Sequence, residues 1–458
     1  MDRPTLTERY LAELSESAPT AAELLGRAQH DTLLTTYYRN RFLPRPLFLG
    51  HEEREQLTED LETLRTALFS LPDRLFDGDL GAFARAVGMT ETQIEVILRS
   101  QGAATTRMAR TDLCVDDSGF KVVEVNVTSS LGGMDNGVMA QALLEHPLLA
   151  DFAARHGLGF ADTARELLHT MYAATGFAPE ARPVIAVADW PSSYLSGWGA
   201  FLKEFCAHLQ ALGADAHPCH IGQLDYRDGR VWLGDRAVDV IHRIFLAEDL
   251  LESPEAPALM DRVVRAAAAG QVKLFVPLDA ELYASKATLA MLSDENNRHL
   301  FSAAELAAFD RILPWTRTVR PGTVTLESGR TVDLLDYARA DRHDLVLKPT
   351  VLHGGSGVVL GEDVTEESWA AHLDAALLGT PSILQRRIRP VTELFPDEDG
   401  TLQPWLTVWG VFTMARGFAG IMARGTRLEA NVGVVNVATG AHGGTGLYEL
   451  PPRERTGE

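Results

Sequence analysis

The stretch Asp344-Leu345-Val346-Leu347-Lys348-Pro349-Thr350-Val351-Leu352-His353-Gly354-Gly355-Ser356-Gly357-Val358 decides how the rest of the chain is understood. Its apolar run ending in lysine reads as a buried strand that delivers one ammonium to a chosen place. A loop with three glycines in four positions follows, and then a second β-prone run, Val358-Val359-Leu360. Glycines let a backbone approach a polyphosphate and turn its N–H groups toward the oxygens. Lys348 adds a point charge for the same oxygens. A strand, lysine, glycine loop and strand thus make a candidate nucleotide-phosphate clamp. No Gly-Lys-Ser/Thr leads into a helix, so it is not a P-loop. A hairpin turn with a surface lysine fits the same residues, and other segments have to decide.

Bulk properties narrow the field. A chain of 458 residues is too long for one ordinary core, so two or three lobes are expected. Hydrophobic residues make up 46% and charged residues 23%, a globular composition. The formal net charge of −21 argues against nucleic acid or an anionic membrane as the main partner. A nucleotide is still admissible, because local Lys, Arg and Mg²⁺ override the global sign. Met1 to Arg9 has no apolar signal core, and no run of about 18 apolar residues occurs. Cys114, Cys206 and Cys219 are too few for a disulfide framework. These features lead us to expect a cytoplasmic protein. His217-Pro218-Cys219-His220 holds soft ligands without a second matching pair, which favours a strand-end cluster over a zinc site.

Periodicity divides the chain. Residues 1–105 read as a helical N-terminal region, with Leu57, Leu61, Leu64 and Leu68 at helical spacing. Residues 106–181 begin with a hairpin: Thr111 to Val115, the turn Asp116-Asp117-Ser118-Gly119, and Phe120 to Asn126. Helical patterns resume over Met139 to Phe152 and Ala161 to Ala173. Residues 182–279 alternate strand and helix, as in a small doubly wound α/β lobe inserted between the hairpin and the glycine loop. Residues 280–450 carry Lys286, the glycine loop, a helix over Thr365 to Leu378, and strands over Leu406 to Met414 and Phe418 to Arg424. A polar tail, residues 451–458, is expected to fray. The fold class expected is mixed α+β and α/β.

Three features converge on one nucleotide. Lys348 with Gly354, Gly355, Ser356 and Gly357 addresses the phosphates. Ile383-Leu384-Gln385-Arg386 looks like a strand entering a linker, where a backbone edge and the Gln385 amide could read adenine. On the hairpin, strand alternation puts Glu124 and Asn126 on one face, and pairing can bring Asp112 alongside. Two carboxylates and an amide oxygen are hard ligands suited to Mg²⁺. Arg110 shares the face of Asp112 and could reach a transferring phosphoryl group. An exposed, merely amphipathic strand face is the alternative for the hairpin.

Glu124-Val125-Asn126 resembles the Glu-x-Asn metal motif of the ATP-grasp ligases. Its position ahead of the lysine and glycine loop is similar to the circularly permuted branch, which includes eukaryotic-type glutathione synthetase and glutathionylspermidine synthetase. Arg110-Thr111-Asp112 resembles the Arg-x-Asp preceding that motif in the second of these. Val346-Leu347-Lys348-Pro349 and its glycines resemble the ATP lysine and lid loop, and Lys286 looks like the earlier ATP-binding lysine. Met422-Ala423-Arg424-Gly425-Thr426 is similar to the late arginine segment near the phosphates. These short motifs span about Arg107 to Gly444. The chain departs from the pattern in having Leu352-His353 where glutathione synthetase-like loops carry an acid. Its helical N-terminus also shows no recognisable amidase domain. A second Glu-x-Asn, Glu429-Ala430-Asn431, lies where an unpermuted member would keep its metal site. The early pair is preferred because Arg110-x-Asp112 supports it and Phe120 to Val127 is the better strand.

The resemblance implies an ATP-grasp fold and an ATP- and Mg²⁺-dependent carbon–nitrogen ligase. A carboxylate would attack the γ-phosphate to give an acylphosphate and ADP, and an amine would then displace phosphate. It implies Arg110 and Arg424 as catalytic, Lys286, Lys348, the loop and Gln385 for ATP, and Asp112, Glu124 and Asn126 for the metal. Small-molecule carboxylate and amine substrates follow, and related ligases suggest a homodimer. Ser129, Ser130, Ser192, Ser193 and the strand-end Arg243 are candidate substrate readers, and Gly440 to Gly446 is a candidate second flexible cover. A small-molecule kinase on the same scaffold, or a non-catalytic nucleotide-binding protein, would use the same clamp.

Overall fold

A computed structural model describes residues 4–100, 108–352, 354–379, 381–430 and 434–451. The largest element is an eight-stranded sheet whose main path runs Leu47–Leu49, His442–Glu449, Gly417–Arg427, Leu402–Met414, Ala109–Asp116 and Gly119–Asn126. Its long central strands, Leu402–Met414 and Gly417–Arg427, are rich in Val, Ile, Phe, Trp and Thr, which fit a pleated buried surface. The early hairpin is therefore not an edge ornament. Ala109–Asp116 pairs antiparallel with Leu402–Met414, placing Asp112 opposite Gly410.

Helices from the N-terminal region cover this sheet. Leu6–Ser17, Ala21–Leu25 and Glu91–Arg99 each start at a threonine in a reciprocal capping box, with Glu8, Glu23 and Gln93 as the returning partner. One short strand interrupts the region expected to be helical. Leu47–Leu49 is fully buried and runs parallel to His442–Glu449. The helical pattern from Met139 to Phe152 is split: Asn136–Leu143 ends, and Pro147 opens Pro147–His156, where its missing N–H costs nothing.

A four-stranded parallel sheet occupies the middle of the chain in the order Lys273–Phe275, Val240–Arg243, Val184–Asp189, Asp215–His220. Asp215–His220 contains Pro218 and lies at the sheet edge, where a missing donor is tolerated. The His217–His220 segment is thus strand, with Cys219 fully buried and His217 paired to Asp215 at 2.7 Å.

A second four-stranded sheet carries the glycine loop: Thr316–Thr318, Ser382–Arg386, Leu345–Pro349, Val359–Leu360, all antiparallel. It has its own small core around Trp369, Leu334, Leu345, Leu347 and Leu384. The loop is therefore mounted on a body distinct from the large sheet facing it. Among the described residues no helix is long and apolar enough to cross a membrane.

Candidate active site

The hairpin register sets the first half of the site. Arg110 lies opposite Asn126 and Asp112 opposite Glu124, with a bulge just after Asp112. Alternation then turns all four side chains toward one face. Arg110 grips Asp112 with two hydrogen bonds, Nε to Oδ1 at 2.8 Å and Nη2 to Oδ2 at 3.1 Å. Arg424, from the neighbouring long strand, places Nη2 2.7 Å from the same Oδ1. Asn126 donates to Asp112 Oδ2 at 3.2 Å. Burial alone would raise the Asp112 carboxyl, but the two guanidiniums hold it well below the usual carboxylate range.

In this arrangement both oxygens of Asp112, expected as a metal ligand, accept from two arginines and an amide. Among the described residues no group of three or more His, Cys, Asp or Glu side chains is placed to hold a metal ion. The donors that remain are the Glu124 carboxylate and the Asn126 amide oxygen. One carboxylate and one amide suit a Mg²⁺ ion that fills the rest of its shell with phosphate and water. The rival acid Glu429 stands 81% exposed, 4.0 Å from Arg427; Asn431 lies outside the described residues.

The second half comes from the glycine-loop sheet. Lys286 opens the helix Ala287–Ser293, sits 3.2 Å from Glu124, and donates to the Leu352 carbonyl at 2.8 Å. Lys348 donates to Gln385 Oε1 at 2.6 Å and to the Val123 carbonyl at 3.2 Å. Burial pushes the Lys348 ammonium down to about 8, with Glu124 opposing and Lys286 adding to the shift. Gln385 also donates to Thr316 Oγ1 at 3.2 Å. Its amide is therefore committed at both ends, its oxygen to Lys348 and its nitrogen to Thr316. Gly354, Gly355 and Gly357 all have φ between 66° and 82°. A Cβ on Gly355 would fall 2.6 Å from Val434 Cγ1, so glycine is what lets the loop close on that residue.

Two cavities meet at this cluster. One, about 480 Å³, has apolar walls from Val346, Leu360, Leu406 and Val408, and polar groups from Lys286, Lys348 and Arg387. The other, about 490 Å³, is lined by Arg110, Asn126, Ser130, Asp189 and Asp249, among others. Glu124, Arg424 and Asn436 line both. Arg424 is 4% exposed, and its Nε has no hydrogen-bond partner. A buried cationic donor left open at the junction of two cavities suits an anionic ligand group there.

No protein-family model matches the sequence, and no curated protein sequence does either. Among solved structures, a glutathione synthetase-like effector from Globodera pallida superposes with a TM-score of 0.58 at 13% identity, covering 98% of each chain. The fold is glutathione synthetase-like. At that identity the likeness is one of fold. A gamma-glutamylcysteine synthetase-like protein from Methylobacillus flagellatus superposes with a TM-score of 0.39 at 11% identity, over 80% of this chain and 86% of its own.

Other expected site residues are placed elsewhere. Arg243 is fully buried, ion-paired to Glu281, and donates to the carbonyls of Val276 at 2.6 Å and Phe245 at 2.5 Å. Its donors tie the end of the parallel-sheet strand Val240–Arg243 to Glu281 and to those two carbonyls. Ser129 is buried, with its hydroxyl spent on the Arg243 carbonyl, whereas Ser130 remains half-exposed on the second cavity. Ser193 lines that cavity too, its hydroxyl on Asp189 at 2.7 Å. The segment Gly440 to Gly446 is not a mobile cover, because His442–Glu449 is a strand of the main sheet. A Cβ on Gly443 would stand 1.9 Å from Tyr38 Cε1, and Cβ atoms on Gly444 and Gly446 would crowd Leu43 and Ile421, so these glycines let side chains pack close on the sheet.

Several lining residues were not singled out by sequence reasoning. Tyr37 comes from an N-terminal helix, Trp198 and Phe201 from the inserted region, and Val434 to Val437 from the segment after the late arginine. Only the last had a signal, an apolar run beside the second Glu-x-Asn.

Proposed function

We propose that the chain is an ATP-grasp carboxylate–amine ligase, which uses ATP to join small amino-acid-like or peptide-like substrates through an acylphosphate. The observation that carries this reading is the meeting of two cavities at Glu124 and Arg424. The glutathione synthetase-like fold supports it. In this reading residues 106–181 and 280–450 form the nucleotide-binding core, 182–279 an inserted substrate lobe, and 1–105 a helical cover.

ATP occupies the cavity with apolar walls. Its base lies between Val346, Leu360, Leu406 and Val408, and its phosphates run toward Lys286, Lys348 and the loop Gly354 to Gly357. Glu124 and Asn126 would hold Mg²⁺, which would supply charge neutralisation to the phosphates. The acid substrate lies in the second cavity with its carboxylate at the junction. A carboxylate oxygen attacks the γ-phosphorus, the bond to the β-phosphate bridging oxygen breaks, and ADP leaves with that electron pair. The amine nitrogen then attacks the acyl carbon, phosphate departs with the C–O electrons, and the ammonium proton passes to solvent, leaving an amide. The transferring group is nearly all charge, so catalysis consists of positioning and electrostatics. Arg424 offers its unpaired donor to that charge, and Arg110 is held beside it by Asp112. The glycine loop and Val434 to Val437 cover the junction, where water would hydrolyse an acylphosphate.

The test is ATP consumption with Mg²⁺, resolving ADP from AMP, against amino acids and short peptides singly and in pairs. ADP and phosphate release that needs an acid and an amine together, with a new amide mass, is the expected result. AMP and pyrophosphate would exclude the acylphosphate route. ADP with a stable phosphorylated single substrate would make the protein a kinase.

A further inference from the structure

A third cavity, about 510 Å³, adjoins the substrate cavity and is lined by Arg39, Arg41, Tyr37, Trp198, Phe201 and Asn436, among others. Tyr37, Trp198, Phe201, Asn436 and Val437 also line the substrate cavity, so the two spaces share a common wall. That wall is aromatic: Tyr37 stands 5.0 Å from Phe201 and 6.1 Å from Trp198, and Trp198 stands 5.6 Å from Phe201, centroid to centroid. Trp198 nevertheless remains 48% exposed, an unusual state for so large an apolar ring.

The charge of this outer cavity is the reverse of the protein's. The chain carries 63 acidic against 42 basic residues, yet among the described residues no acidic side chain lines this space. Among the described residues neither Arg39 nor Arg41 is ion-paired with a carboxylate. Arg41 donates from Nη2 to the Val437 carbonyl at 2.8 Å, while its Nε is buried without a partner. Arg39 caps the helix Thr32–Tyr38 at φ 52°, an uncommon backbone state for a residue with a side chain. Two guanidiniums without a carboxylate partner line this one space, and an oxyanion there would meet both.

We propose that this cavity is a subsite for an anionic group at the far end of one substrate, held by Arg39 and Arg41. The molecule lies along the Tyr37, Trp198 and Phe201 wall, with its reacting group at Glu124 and Arg424 and a carboxylate or phosphate at the arginines. The substrate class is therefore an elongated molecule ending in an oxyanion, rather than a single small amino acid. This deepens the two-substrate reading above and rests on it for the identity of the reacting end.

Anion binding can be tested apart from turnover. Tri-alanine, tri-alanine amide and inorganic phosphate are titrated into the full chain while tryptophan emission is followed, with W198F assigning the signal. Saturable binding of tri-alanine is expected, with the amide at least tenfold weaker and R39A/R41A weaker by the same margin. Arg39 is exposed and its side chain has no ion-pair partner among the described residues, so R39E keeps the fold, checked by thermal melting, and should also lose at least tenfold. Phosphate binding with no tri-alanine binding, lost in the same variants, would support the subsite and assign it to a phosphorylated substrate. Absence of anion binding in the wild type, or equal binding in the variants, would overturn it. ADP release by the same proteins, given MgATP and the acid and amine pairs above, separates the two ideas. Turnover indifferent to R39E removes the subsite alone, and anion binding without any turnover removes the ligase reading alone.

Discussion

Lys348 is only 5% exposed, and burial lowers its pKa from an ordinary 10.5 to about 8. In the free protein about one tenth of the ammonium is therefore lost at pH 7, roughly half at pH 8 and about nine tenths at pH 9. A bound triphosphate puts negative charge where the ammonium has lost its water, and so restores the ordinary value. The bound form then holds more protons than the free form, so affinity must fall as pH rises. Binding of MgATP should take up roughly half a proton at pH 8. Affinity should weaken about tenfold, or about 1.4 kcal/mol, between pH 7 and pH 9. Titration calorimetry in buffer pairs of different ionisation enthalpy measures both quantities. Lys348→Met should bind ATP more weakly and show no uptake at pH 8. Equal uptake in the two proteins, or a flat affinity from pH 7 to 9, would refute the placement of the triphosphate against this lysine.

Four further outcomes follow from the same geometry. Glu124→Gln keeps a hydrogen-bond acceptor for Lys286 but removes the charge, so turnover should drop by at least about a hundredfold with little change in melting temperature; full activity would transfer the metal role to Glu429. Arg243→Met leaves Glu281 buried and unpaired, which should cost about 3–5 kcal/mol in denaturant unfolding, and Arg243→Met with Glu281→Met should recover much of it. If Arg243 instead read substrate, the single variant would change KM while leaving stability alone. Asp112→Asn removes the charge between Arg110 and Arg424 and should cost about 3–5 kcal/mol of stability even without Mg²⁺, whereas a pure metal ligand would show its loss only in Mg²⁺ dependence. Gly355→Ala forces a side chain into positive φ against Val434, at about 1–2 kcal/mol of local strain, and should weaken ATP affinity more than it lowers the melting temperature.

Much of the site was legible because strand alternation is a strict rule. Once Phe120 to Asn126 is a strand, Glu124 and Asn126 must share a face, and the turn at Asp117 and Ser118 brings Arg110 and Asp112 to them. Lys348 was legible for a similar reason, since an apolar run delivers its terminal residue to a fixed point. Depth and competition were not legible. Periodicity puts Arg243 at a strand end but cannot show that Glu281 and the carbonyls of Val276 and Phe245 already consume its donors. It likewise cannot show that Gln385 is tied to Lys348, or that Asp112 is clamped by Arg424 from a strand some 300 residues away. The glycines at 443, 444 and 446 misled because glycine marks both mobility and close packing, and only the position of Tyr38, Leu43 and Ile421 distinguishes these. The strand Asp215–His220 was hidden by its proline and histidines, which an edge position permits.

The central claim is that the carboxylate of one substrate becomes an acylphosphate at the junction of the two cavities. Oxygen-18 in the carboxylate of an active acid substrate tests it most directly. One labelled oxygen should pass to the released inorganic phosphate, with ADP as the nucleotide product, in the presence of the amine partner. Unlabelled phosphate, or label carried into AMP, would contradict the account.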